Sequence, residues 1–135
     1  MKQVKALLIC FILVLFDTHV NAQQGDTKSA TSFIGKWKGV SICQQKNSPC
    51  HDETVVYTIS KMLDNDTIFI QASKIVNGEE QDMGILQCLF DENANKLVSV
   101  EGHGNWTFML KENVIYGELI YQEHLYRKVR ITKIL

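Results

Sequence analysis

What most constrains this chain is how closely its turns follow one another. From residue 33 onward, runs rich in β-branched and aromatic side chains are broken at short intervals by turn-forming residues, and no stretch shows helical apolar spacing. Candidate strands span residues 34–44, 53–62, 67–76, 81–90, 96–102, 106–111, 114–121 and 124–134. The links include Asp64-Asn65-Asp66, Asn77-Gly78, residues 91–95, Gly104-Asn105, Glu112-Asn113 and Gln122-Glu123. Asn77-Gly78 is the clearest, since both residue types tolerate the positive φ that a type I′ hairpin requires. Links this short force sequence neighbours to pair antiparallel, and eight strands in a meander can close on themselves and leave no edge. The expected class is all-β, an eight-stranded antiparallel up-and-down β-barrel. The competing open sandwich needs long cross-connections that this spacing barely permits.

Ahead of that domain stands a leader. Lys2 and Lys5 precede an apolar stretch at residues 6–16, and Val20-Asn21-Ala22 supplies small residues suited to signal peptidase, so residues 1–22 read as a secretory signal peptide. An apolar run of this length falls short of the roughly 20 residues needed to span a bilayer, and no later segment is longer, so no membrane span is expected. Cys10 lies inside the apolar run, not at a lipidation site. Residues 23–32 are small and polar and read as a flexible arm, which leaves residues 33–135 as a single barrel domain. Cleavage removes two lysines and Asp17, leaving 12 basic and 14 acidic side chains. That balance excludes a basic stripe for nucleic acid. The expected location is secreted or periplasmic.

An oxidising compartment changes how the cysteines read. Three remain after cleavage: Cys43, Cys50 and Cys88. Cys43 and Cys50 bracket a polar loop that holds Pro49, the one proline of the chain, so a local disulfide is the simplest pairing. Closing so short a loop stabilises the fold by about 2 to 3 kcal/mol on chain-entropy grounds. Cys88, between Gln87 and Leu89, is then the odd thiol, either buried and inert or reactive.

Phe33-Ile34-Gly35-Lys36-Trp37 resembles the Gly-x-Trp opening of lipocalin and avidin barrels, and the chain is most similar to short lipocalin-like domains secreted by bacteria. The resemblance implies that Gly35 and Trp37 form a structural plug at the bottom of the barrel, with an arginine of the last strand packed across the indole. Arg127 is the candidate, because it shares strand parity with Leu125, Val129 and Ile131. The second lipocalin signature, a Thr-Asp-Tyr-like loop, is not evident, and the biotin-binding residues of avidins cannot be placed.

Eight strands enclose an interior that is either filled by side chains or holds one small ligand. Trp37, Gly39, Ser41 and Cys43 share one face of the first strand, where three small residues beside a large one can leave a hollow. Tyr57, Trp106, Phe108 and Tyr116 each fall on a parity with other apolar residues and are the candidate ligand-binding side chains, two of these types offering a polar handle. Glu101 and Glu118 lie in strand segments whose facing the pattern leaves open. The cysteines and histidines show no metal-ligand spacing, and no nucleophile elbow, Cys-x-x-Cys-His or phosphate loop occurs, so neither metal, cofactor nor enzymatic activity is expected. The leading expectation is a protein that binds a small, partly apolar ligand inside its barrel. The alternative is a solid barrel that grips a protein partner, such as an extracellular enzyme it inhibits, through the 43–50 loop.

Overall fold

The computed structural model describes residues 29–63, 65–100 and 104–135. Residues 1–22, read above as a signal peptide, residues 23–28 of the expected arm, and Glu101 lie outside the described residues. Eight strands follow one another: β1 (Gly35–Cys43), β2 (Glu53–Lys61), β3 (Thr67–Val76), β4 (Glu79–Asp91), β5 (Lys96–Ser99), β6 (Asn105–Lys111), β7 (Val114–Tyr121) and β8 (His124–Lys133). Each pairs antiparallel with its sequence neighbour, and β1 pairs with β8 from Trp37↔Lys133 to Cys43↔Arg127, which closes the barrel. Among the described residues, no helix is long and apolar enough to cross a membrane.

The turns explain the meander. Asn77 and Gly78 both adopt positive φ (51° and 84°), and so do Glu112 and Asn113, and Gln122 and Glu123. These are the backbone angles that match the right-handed twist of paired strands. β5 is shorter than expected and ends at Ser99, while β4 extends over 13 residues. One departure lies in the arm: Ala30–Phe33 form a 3₁₀ turn, capped where the Ser29 hydroxyl accepts from Thr31 N. The turn forms because Phe33 is an apolar anchor, fully buried and edge-on to Phe90 at 6.0 Å.

That turn shuts one end of the barrel. Trp37 is buried above it and donates from Nε1 to the Phe33 carbonyl at 2.8 Å. Gly35, at φ 135°, lets the chain swing from the turn into β1, where the Lys36 N–H donates to the Leu135 carbonyl at 3.0 Å. Ile59, Ile68, Leu97, Ile115 and Ile131 fill the interior, each adding about 1.5 to 3 kcal/mol by leaving water. Cys88 belongs to this core and is free and fully buried. Burial pushes its thiol up to about 12, which disfavours the thiolate that a reactive cysteine needs.

Candidate ligand cavity

At the other end the barrel divides into a polar half and an apolar half. The polar half is centred on Arg127, which lies opposite Cys43, far along β8 from Lys133. The expected stacking of Arg127 on Trp37 is therefore corrected: the cation over the indole is Lys133, with Nζ 5.4 Å from the ring centre. Parity places Arg127 and Lys133 on the same inner face, but the register sets them at opposite ends of the strand. Arg127 Nη1 donates to Ser41 Oγ at 2.9 Å and lies 3.3 Å from Glu53 Oε2, while Nη2 donates to the His51 carbonyl at 3.0 Å. Glu53 also faces Lys74, at 3.5 Å. Arg127 takes the space beside Ser41, and the β8 backbone at Arg130 and Ile131 leaves no room for a Cβ at Gly39, so the hollow suggested by these small residues of β1 is occupied.

The loop over this half is pinned by Cys43–Cys50, with a Cα separation of 5.9 Å. Cys43 N donates to Asp52 Oδ1 at 2.9 Å, and Gln45 Nε2 donates to the Leu125 carbonyl at 3.0 Å. Lys46, Asn47, Ser48 and Pro49 remain exposed.

The apolar half holds a cavity of about 360 Å³. Tyr57 of β2, Ile70 and Ala72 of β3, Leu86 of β4, and Trp106 and Phe108 of β6 line it from inside, and residues 83–85 form its outer lip. Several local features make this space. A register shift between Ala72 and Ser73 leaves Met83 as an extra residue, and Gly84 takes φ 104°, so β4 bulges outward. Among the described residues the pairing of β4 with β5 runs from Asp91↔Lys96 to Cys88↔Ser99, followed by Val100 N donating to the Gln87 carbonyl at 3.0 Å. Trp106 and Phe108 stack at 5.4 Å with planes 7° apart, and Tyr57 meets Phe108 edge-on at 6.1 Å. Phe108 has room for this because it faces Gly117, where an added Cβ would lie 2.7 Å from its ring.

No family model matches the chain, and no curated protein matches it.

Three of the four aromatic side chains expected to meet a ligand therefore converge on one cavity. Tyr116 does not. It is 44% exposed on the outer wall, because Ile115, Gly117 and Leu119 take the inward parity of β7. It borders a separate outer depression with Val40 and Ile42. Glu118 also points outward, 4.0 Å from Lys128. The sequence reading missed the aliphatic lining at Ile70, Ala72 and Leu86, and it missed Glu53. Glu53 shares parity with Val55 and Tyr57, a signal that could have placed its carboxylate inside. The Tyr57 phenol, buried and 4% exposed, is pushed up by desolvation; Arg127 pulls it down in part and Glu53 raises it.

Proposed function

We propose that this protein is a secreted or periplasmic lipocalin-like barrel that binds a small, partly apolar ligand in the cavity between β2, β3, β4 and β6. The observation that carries the reading is the convergence of Tyr57, Trp106 and Phe108 on one apolar-walled space, of a volume within the usual range for small-molecule sites. The leader motif and the Cys43–Cys50 bridge support the location.

Titration with the neutral fluorophore N-phenylnaphthylamine tests the reading. Bound probe should gain emission and quench Trp106, and Ala72→Phe, which fills the space, should abolish both effects while the melting temperature holds. An unaffected titration in the filled variant would place the probe elsewhere and remove the cavity as the site. A second reading, a protein-binding barrel, is supported by the bridged 44–52 loop, whose exposed tip is held in one geometry and so loses little entropy on docking. That reading expects a partner that co-purifies with the wild-type loop and is lost when the loop is replaced by Gly-Ser.

A further inference from the structure

We propose that the cavity selects apolar molecules carrying a neutral oxygen acceptor, such as a ketone or aldehyde, with the Tyr57 phenol as the donor that recognises it. The inference rests on the reading of this cavity as a ligand site and specifies the chemistry of the ligand.

The cavity lining contains no carboxylate, amide or basic side chain among the described residues. Its polar side chains are Tyr57 and Trp106. An indole N–H can only donate, and a phenol that keeps its proton is a donor as well. Tyr57 keeps that proton because burial disfavours its phenolate. Its hydroxyl makes no hydrogen bond to any described residue, yet no buried side-chain oxygen or nitrogen among the described residues is stranded. Both statements hold together if the oxygen opens on the cavity space.

The polar neighbours do not claim it. Arg127 is committed to Ser41, the His51 carbonyl and Glu53. The Glu53 carboxylate is shared between Arg127 and Lys74. The phenol is thus a spare donor at the border between an internally paired ionic cluster and apolar walls.

A ligand without an acceptor would cover this hydroxyl and strip its water without replacing the lost bond. A ligand with an acceptor at that end satisfies it, and its remaining surface meets Ile70, Ala72, Leu86 and the stacked Trp106–Phe108 pair. Sites built to hydrogen-bond one group discriminate against the analogue that lacks it, because the site's own polar atom is left unpaired.

A matched pair of ligands tests this on the full exported chain. Acetylnaphthalene and ethylnaphthalene have nearly the same shape and differ by a carbonyl in place of a methylene. Dissociation constants are measured for both on the wild type and on Tyr57→Phe, with N-phenylnaphthylamine as the displaced reporter and near-ultraviolet circular dichroism as the check on folding. The expected result is that the ketone-to-hydrocarbon affinity ratio falls about tenfold in Tyr57→Phe, with ethylnaphthalene bound at least as well as before. An unchanged ratio, or equal weakening of both ligands, would overturn the proposal and leave Tyr57 as a packing residue of a cavity that still binds apolar probes. Failure of all three compounds to bind the wild type would overturn the cavity reading itself, and the inference with it. Should Tyr57→Phe fail to fold, a wild-type preference for the hydrocarbon by tenfold or more would overturn the proposal, and a preference for the ketone would support it.

Discussion

Trp37 is enclosed by groups from three parts of the chain: the Phe33 carbonyl below, Tyr57 across on β2 and the Lys133 ammonium over its face. Replacing it by alanine should cost about 3 to 5 kcal/mol in urea denaturation, as a buried tryptophan does. A double-mutant cycle with Lys133→Met should return a coupling of about 0.5 to 1 kcal/mol, the size of a cation–π contact near water. The same cycle with Arg127→Met should return none, since distant sites add. A reversed pattern would reinstate Arg127 as the partner of the plug. The burial of Trp37 is legible in the sequence because it shares parity with small residues and opens a strand. The identity of its cation is not, because parity assigns a face and says nothing about height along the barrel. Tyr116 misleads for a related reason. Both parities of β7 carry apolar side chains, and only the pairing of Phe108 with Gly117 selects Ile115, Gly117 and Leu119 as the inner row.

At the scale of elements, the hairpins carry an unused margin of stability. Asn77-Gly78 suits its turn, but Gln122 and Glu123 hold φ of 48° and 65°, left-handed angles that cost roughly 1 kcal/mol each for residues of this type. Changing the pair to Asn-Gly should stabilise the protein by about 1 kcal/mol and raise the melting temperature by about 4 to 8 °C in calorimetry. A melting point that stays or falls would mean that the native side chains make compensating contacts. The strand sequence is legible because turn residues punctuate it, so the order β1 to β8 follows almost directly. The bulge at Met83 and Gly84 is not, since an isolated glycine in a strand does not say which way the wall bends. The cavity depends on that bend, which is why its aromatic members can be named in advance and its aliphatic lip cannot.

For the whole molecule, two buried acids tie stability to pH. The Cys88 thiol rises from an ordinary 9.0 to about 12, and burial moves the Tyr57 phenol from 10.0 in the same direction. Both groups stay neutral when folded and ionise more readily when unfolded, so their contribution is fully present below about pH 9 and is lost as the pH rises. Each costs about 1.4 kcal/mol per pH unit above its unfolded value, or roughly 4 kcal/mol together by pH 11. Urea midpoints should fall across this range, and Cys88→Ala should flatten the first part of the decline. A midpoint independent of pH between 9 and 11 would mean that water reaches both groups.

The bonds between Lys36 and the last two residues give the fold a property of a different kind. Lys36 N donates to the Leu135 carbonyl, and Ile134 and Leu135 donate back to the Lys36 carbonyl. Topologically the domain is already a ring whose seam lies at the sealed pole. A short peptide across that seam would leave every strand pair in place, and the ring could be reopened at Asn77-Gly78 to give a circular permutant with the same wall. Any tether joined at either end of the domain would hold the barrel by its sealed pole and leave the opposite pole facing away from the attachment.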